Sequence, residues 1–277
     1  MNSQAPPDSG AHVRLDRVEM AYGSRAVLRG VSCAFPPGTI SVVLGGSGSG
    51  KSTILKLVGG LLRAQAGQVV VGGRDITSLS ESQLYGVRRR LGMMFQNGAL
   101  LDSLSVLENL SFPLREHSRL TRDQIKTRVH ERLAAVGLED VDDLMPRELS
   151  GGMVKRVALA RALMQDPEIL LVDEPFSGLD PLSTKLIEAL LVRINRTRGM
   201  TMIVVSHHIP STMRMAGHVV LLLPGSVVQG DPAALRSSED ARVRRFLTED
   251  TDASEQILAH THEFEAGEHA PVRRGGA

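Results

Sequence analysis

The sequence predicts an α/β fold in which helices cover a parallel sheet. TISVVL (39–44) contains no charged residue, as expected of a strand that is buried on both faces. EILLVDE (168–174) and TMIVVSH (201–207) are two further short apolar strands, and a helical segment lies between them. Alternation of buried strands with helices is typical of α/β proteins with a parallel sheet.

The first part of the chain is rich in strands. VRLDRVEMAY (13–22) and AVLRGVSCAF (26–35) alternate between apolar and polar residues on either side of a Gly23–Ser24 turn. After a glycine-rich loop, STILKLVGGLL (52–62) has the spacing of an amphipathic helix. Near the other end of the chain, HVVLLLPGSVVQG (218–230) predicts a hairpin.

The middle of the chain is predicted to be helical. Three pairs fit a capping box, which marks a helix start: Ser80 with Gln83, Ser105 with Glu108, and Thr121 with Gln124. Gly137 stands where the third helix needs its C-terminal cap, after an apolar stripe formed by Ile125, Val129, Leu133 and Val136. The stretch from about Asn97 to Leu149 is therefore expected to be an all-helical insertion. A further helix follows Gly152 and is expected to run to Asp166–Pro167.

These patterns define the expected domain organisation. One main domain covers residues 12–247, and a helical subdomain at about 97–152 is inserted into it. Residues 1–11 are expected to form a flexible N-terminus, and residues 248–277 a C-terminal tail that is loosely ordered or bound to a partner. His260 and His262 in that tail are expected to be solvated, since a metal site needs three or four ligands in fixed geometry. The Arg88–Arg90 run is interpreted as a solvated helix end.

Composition excludes several classes of function. The 277 residues include 32 Lys or Arg and 31 Asp or Glu, and a formal charge of +1 argues against a nucleic-acid partner. Aromatic residues make up only 3%, which leaves few platforms for stacking bases. The single cysteine, Cys33, allows no intrachain disulfide. No secretory signal or membrane span is visible, so we expect a cytoplasmic protein whose membrane role, if any, depends on a partner.

The strongest functional motif lies between the buried strand 39–44 and the helix after it. It has the pattern GxxxxGK[ST] and consists of Gly45, Gly46, Ser47, Gly48, Ser49, Gly50, Lys51 and Ser52. Such a loop turns backbone N–H groups towards phosphates, and the helix N-terminus adds partial positive charge. Lys51 is expected to neutralise the β- and γ-phosphates and Ser52 to bind Mg²⁺, and we include Thr53 in the nucleotide-binding set.

A second motif is the pair of carboxylates at the end of the strand 169–172. In open α/β sheets, ligands collect at the carboxyl ends of the strands. Asp173 is expected to hold magnesium through water, and Glu174 to orient and deprotonate the attacking water.

A third motif, LSGGM, precedes that acidic strand. Ser150 is a good N-cap, and Gly151 and Gly152 expose backbone N–H groups at the start of a helix. The sequence thus predicts a second helix end that can bind an anion.

Together these motifs resemble those of the ATP-binding cassette (ABC) family over about residues 12–247. They occur in the family's order, with Gln96 after a strand in MMFQ, SGLD (177–180), and His207 after a strand in VVSH completing the set. The resemblance implies a P-loop NTPase fold with a RecA-like mixed-sheet core, an antiparallel β subdomain and an inserted α-helical subdomain. Two positions depart from the family pattern: His208 stands where Asp is usual, and Met153 where Gln is usual.

The resemblance also implies roles for single residues, with ATP and Mg²⁺ as cofactors. Tyr22 is similar to the aromatic residue that stacks on adenine, and Asp180 to the loop acid at the dimer seam. Gln96 resembles the lid glutamine that reaches Mg²⁺ and the attacking water, and His207 the switch histidine at the γ-phosphate. The implied catalytic residues are Lys51, Gln96, Glu174 and His207, and the implied metal-binding residues are Ser52, Gln96 and Asp173.

In this family the signature of one chain completes the site of another, so the resemblance implies a homodimer in which Ser150, Gly151 and Gly152 bind the partner's ATP. Met153, FQNGALLDSLSVLENLSFPLREH, LMPRELSGGM, DEPFSGLDP and RVRRFL resemble the ATPase subunits of Mla-type, MCE-linked phospholipid transporters. That implies an energy-coupling ATPase on the cytoplasmic face of the inner membrane, with an integral-membrane permease and an MCE-domain lipid-binding protein as partners. A small accessory subunit is left open. The alternatives are the ATPase of another MCE-linked lipid or sterol importer, a DNA-maintenance ATPase of the same superfamily, and a small-molecule kinase with a phosphate loop.

Overall fold

The computed structural model describes residues 12–248. Its strands are β1 (Val13–Tyr22), β2 (Arg25–Phe35), β3 (Ile40–Gly45), β4 (Ala66–Val71), β5 (Arg74–Asp75), β6 (Leu91–Met94), β7 (Ile169–Asp173), β8 (Thr201–Val205), β9 (His218–Leu223) and β10 (Ser226–Gly230). Its helices include α1 (Lys51–Val58), α2 (Glu81–Arg88), α3 (Val106–His117), α4 (Arg122–Ala135), α5 (Gly151–Ala162), α6 (Pro181–Arg198), α7 (Ile209–Met215) and α8 (Pro232–Arg236). Residues 241–248 are also helical. A 3₁₀ turn covers Pro146–Glu148. The expectations for residues 1–11, for the tail beyond Thr248 and for His260 and His262 lie outside the described residues.

The strands form two sheets. The larger has the order β10-β9-β3-β8-β7-β6, with parallel neighbours except for β10, which pairs antiparallel with β9. The smaller sheet, β2-β1-β4-β5, is antiparallel throughout. The predicted fold class, with a mixed-sheet core, an antiparallel β subdomain and an inserted helical subdomain, is confirmed.

The central strands separate two apolar clusters. Every residue of β3, β7 and β8 is buried, as their apolar segments predicted. Successive side chains alternate between the two faces of a strand. Leu170 and Val172 therefore lie in the cluster that includes α3, α4, α5 and α6, whereas Leu171 lies in the cluster that includes α1 and the smaller sheet. The parallel strands β3, β7 and β8 also end at one edge, which places the segments that follow them side by side.

Local capping signals were accurate. All three capping boxes form at the starts of α2, α3 and α4. After α4, Gly137 takes a left-handed φ of 69°. The Gly137 N–H donates to the Ala134 carbonyl and the Leu138 N–H to the Leu133 carbonyl, both at 3.0 Å, so the glycine closes this helix as a Schellman motif does.

Two predicted helix ends were wrong. The helix expected at 52–62 starts at Lys51 and stops at Val58, because Gly59 caps it and Gly60 turns the chain with a φ of 64°. The helix expected to reach Asp166–Pro167 stops at Ala162, and a turn covers the residues before Asp166, whose φ is 49°. Strands β4 and β5 were not anticipated from the sequence.

Arginines join the helical insertion to the core. Asp166 follows α5 and accepts hydrogen bonds from Arg132 of α4 at 2.5 Å and from Arg198 of α6 at 2.9 Å, and Arg128 also pairs with it. Burial and the neighbouring arginines lower the pKa of Arg132 to about 10. Across residues 12–248, no helix combines the length and apolar character needed to cross a bilayer.

Candidate active site

The phosphate loop connects the end of β3 to the start of α1. Gly50, the N-cap of α1, has φ 99°, and a Cβ atom added there would lie 2.5 Å from Leu28 Cδ2. A side chain at this position meets both an unfavourable backbone conformation and the buried Leu28. The loop therefore depends on glycine at Gly50 for its shape.

Lys51 folds back over the loop. Its ammonium group donates to the Gly45 carbonyl at 2.7 Å and to the Gly46 carbonyl at 3.1 Å. Burial lowers the pKa of Lys51, and the nearby carboxylates of Glu174 and Asp173 act in the opposite direction. A bound phosphate could accept hydrogen bonds from this ammonium group in place of the two carbonyl oxygens. Hydrogen bonds to an ionised acceptor are stronger than those to a neutral carbonyl.

Ser52 and Asp173 provide a pair of hard oxygen atoms. The Ser52 hydroxyl donates to Asp173 Oδ1 at 3.1 Å, and Asp173 is buried at the end of β7. Burial raises the pKa of Asp173, while the Ser52 hydrogen bond and nearby lysines lower it. Mg²⁺ prefers a hydroxyl, a carboxylate, waters and substrate phosphates, so the pair fits Mg²⁺ bound together with a nucleotide. Within residues 12–248 no cluster of three or more His, Cys, Asp or Glu side chains offers a metal site of its own.

Glu174 is held in a strained conformation beside His207. Its φ of 46° is left-handed, which costs a non-glycine residue about 1–2 kcal/mol. The Glu174 N–H donates to the Val205 carbonyl at 2.9 Å, which ties the turn after β7 to the end of β8. The side chain is buried, and its Oε2 atom lies 2.8 Å from Nδ1 of the exposed His207. A buried carboxylate next to an imidazole is an arrangement suited to general-base chemistry.

The two adjacent histidines have different surroundings. His208 caps α7 by accepting a hydrogen bond from the Ser211 N–H at 3.2 Å, and its ring centroid lies 5.8 Å from that of Phe176. His207 instead borders the same cleft as Lys51 and Glu174. The departure at His208 therefore leaves His207 as the histidine at the site.

Most of the predicted nucleotide-binding residues meet in one cleft of about 430 Å³. Those lining it are Tyr22, Ser47, Gly48, Gly50, Lys51, Ser52, Thr53, Gln96, Glu174 and His207. The Gln96 side chain donates to the Ser177 hydroxyl at 3.4 Å. Tyr22 is 47% exposed at the end of β1, so its ring is accessible to a stacking partner.

Two residues of the cleft were missed by sequence reasoning. Arg25 and Val27 line it because the turn after Tyr22 returns β2 past the phosphate loop. The only local signal was their position just after that turn.

The LSGGM segment does not line this cleft. Ser150 is the N-cap of α5 and accepts a hydrogen bond from the Met153 N–H at 3.3 Å, as predicted. Asp180 is also outside the cleft, and its carboxylate caps α6 by accepting from the N–H groups of Leu182 and Ser183, both at 2.9 Å. Each chain thus presents a phosphate loop in one place and the exposed N-terminal end of α5 in another.

Comparisons with known proteins show the family to which the chain belongs. Residues 28–177 match the family model described as ABC transporter. The chain is 40% identical over 231 residues to the intermembrane phospholipid transport system ATP-binding protein MlaF of Escherichia coli K12, which covers 83% of this chain and 86% of MlaF. It is 37% identical over 276 residues to the probable ribonucleotide transport ATP-binding protein mkl of Mycobacterium tuberculosis H37Rv, covering 94% of this chain and 76% of mkl.

Among solved structures, the dimeric post-hydrolysis state of the ATP-binding cassette MJ0796, bound to ADP and Pi, superposes with a TM-score of 0.73 at 31% identity. That match covers 79% of this chain and 98% of MJ0796. The chain belongs to the ABC transporter family, and it is the family's ATP-hydrolysing cassette.

Proposed function

We propose that this chain energises a membrane phospholipid transporter as a homodimer attached to a separate permease. The observation that carries the proposal is the separation of the phosphate loop from the LSGGM helix end within one chain, combined with 40% identity to a phospholipid-transport ATPase over most of the sequence. The phosphate loop and the LSGGM helix end each precede a helix N-terminus, which carries partial positive charge. The negatively charged phosphates of one ATP could therefore bind between the loop of one copy and the helix end of the other.

In this proposal each cleft uses residues from both copies. Lys51 and the loop amides bind the β- and γ-phosphates, and Tyr22 stacks on adenine. Ser52, Gln96 and, through water, Asp173 would hold Mg²⁺, which would supply positive charge against the charge that develops on the phosphates. Glu174 accepts a proton from the attacking water, and the 2.8 Å contact with His207 orients its carboxylate.

The second copy supplies the remaining contacts. The α5 helix end at Ser150, Gly151 and Gly152 meets the γ-phosphate bound by the partner, and Asp180 lies at the seam between the copies. Hydrolysis and loss of phosphate remove the charge that joins the two surfaces, so the dimer loosens. Catalysis is mainly positioning and charge stabilisation, as expected for phosphoryl transfer.

The proposed partners follow from the resemblance to Mla-type subunits. They are an integral-membrane permease, which receives the motion of the helical insertion, and an MCE-domain lipid-binding protein. A small accessory subunit is an open addition, and no nucleic acid is involved. The chain would then work on the cytoplasmic face of the inner membrane, bound through the permease.

The test is to isolate the affinity-tagged chain from solubilised membranes and to analyse co-purified proteins and lipids. A permease and enrichment of phospholipid over a Lys51→Ala preparation or a tag-only control are expected. Recovery of ribonucleotides or of sterol with a different permease would overturn the assignment to phospholipid.

Two further assays address the other classes of ATPase. Free phosphate must appear without an added acceptor, whereas a small-molecule kinase would need one. DNA must leave the rate unchanged, whereas a DNA-maintenance ATPase would be stimulated by it.

A further inference from the structure

Lys155 is a buried cation that none of the motifs accounts for. It lies on α5, five residues after the N-cap Ser150, and only 6% of it is exposed. Its ammonium group donates to the backbone carbonyl of Gln96 and, at 3.1 Å, to that of Glu174. Burial lowers the pKa of Lys155, and the negative charges of Glu174 and Asp173 counteract this effect. Burying a lysine side chain costs free energy unless its ammonium group is paired or hydrogen-bonded, and lysine is rarely buried. The presence of Lys155 at this position therefore indicates a specific role for its two hydrogen bonds.

The two carbonyls belong to the loops that carry catalytic groups. Gln96 follows β6 and Glu174 follows β7, which are parallel neighbours in the larger sheet. Glu174 has the strained left-handed backbone described above, and such residues persist only where surrounding contacts over-determine them. The Val205 carbonyl fixes the N–H of Glu174, and Lys155 fixes its carbonyl.

We propose that Lys155 is a positioning residue that joins α5 to the Gln96 loop and to the Glu174 turn. The inference rests on the proposed function, in which the start of α5 meets the ATP bound by the second copy. About 1.4 helical turns separate Ser150 from Lys155, so a displacement of the helix end is transmitted to Gln96 and Glu174 through a single rigid element. ATP bound by one copy thereby aligns the catalytic groups of the other cleft.

Lysine suits this task better than an apolar residue. Its long stem packs in the core while its ammonium provides three donors, which can serve carbonyls from two different loops. Met has a similar length and no donor, so Lys155→Met removes the link while it conserves most of the volume. Lys155→Arg retains donors at the end of a long stem.

The test compares Lys155→Met and Lys155→Arg with Lys126→Met, which makes the same substitution on the exposed face of α4. For Lys155→Met we expect kcat to fall about 10–100-fold, since displacement of a catalytic group by about 1 Å can cost 10²-fold. KM and the affinity for ATP should change less than about threefold, because the contacts of Lys155 are to the loops after β6 and β7 rather than to the phosphate loop. Lys155→Arg should recover at least part of kcat, and Lys126→Met should match the wild type.

Thermal unfolding of each variant separates positioning from general support of the fold. Loss of the folded transition in both Lys155 variants, or equal losses of kcat and ATP affinity, would make Lys155 a plain core residue and overturn the inference. A kcat for Lys155→Met within twofold of that for Lys126→Met would do the same. The proposed function is judged separately, on the wild-type chain, by phosphate release without acceptor and by lipid recovery.

Discussion

Replacing Gly50 with alanine tests whether the phosphate loop has the shape described. The added Cβ would lie 2.5 Å from Leu28 Cδ2 and 3.1 Å from Val27 Cγ1, both closer than normal carbon contacts. Overpacking of this kind costs about 1–3 kcal/mol, and a left-handed backbone costs an L-residue about 1–2 kcal/mol more. The total, about 2–5 kcal/mol, either destabilises the protein or distorts the loop.

The same loop contains a matched control. A Cβ atom on Gly46 has nothing within 4 Å, and the φ of Gly46 is not positive. We therefore expect Gly46→Ala to retain the melting temperature and Gly50→Ala to lower it by at least about 4 °C, at roughly 2–4 °C per kcal/mol for a domain of this size. Titration with a fluorescent ATP analogue should show binding lost or weakened at least tenfold for Gly50→Ala. Equal melting temperatures for the two variants, together with wild-type ATP affinity in Gly50→Ala, would refute the loop geometry.

Three other predictions follow from the same contacts. Glu174→Gln should lower the rate of phosphate release about 10²–10⁴-fold while ATP still binds, because the amide keeps the shape and loses the base; a wild-type rate would show that another group is the base. Asp166→Asn removes the carboxylate that meets three arginines of α4 and α6 and, since Asp166 is half exposed, should cost about 1–3 kcal/mol in urea unfolding. Asp240 pairs with Arg242, so Asp240→Asn is the control with a single arginine partner and should cost less; equal losses would contradict the role of the cluster. Burial lowers the pKa of His12 and His218 in the folded protein below the value of about 6.5 expected in the unfolded chain. Their contribution to stability is therefore fully present above about pH 6.5, and it is lost as the pH falls from there through the lowered pKa of the folded state. Urea unfolding at pH 7.5 and 5.5 should therefore show a smaller loss for His218→Gln than for the wild type, and equal losses would count against this assignment.

The sequence predicted those structural features correctly that depend on residues close to one another in the chain. Capping boxes involve residues three apart, and the phosphate loop is a contiguous motif, so both could be identified without tertiary information. Buried strands such as β3 were equally clear because burial on both faces leaves no charged residue in the segment.

Features that depend on distant residues were not predictable from the sequence. Lys155 bonds to carbonyls 59 and 19 residues away, and nothing in its own helix indicates this. Arg25 borders the cleft only because β2 passes the phosphate loop. Strand β4 is ordered by pairing with β1 on one side, and the two-residue edge strand β5 is ordered by pairing with β4; their short, partly exposed segments carry no such signal themselves.

The central claim is that each ATP is bound between two copies of the chain. It is tested most directly by the mass of the Glu174→Gln protein with ATP, measured by size-exclusion chromatography with light scattering, since slow hydrolysis should preserve the closed pair. The account predicts a shift from the 29.9 kDa monomer to twice that mass. It also predicts that adding Gly151→Asp, which places a negative charge where the partner's γ-phosphate would lie, restores the monomer while each chain still binds ATP. A monomer in both proteins, or a dimer unaffected by Gly151→Asp, would contradict the shared site.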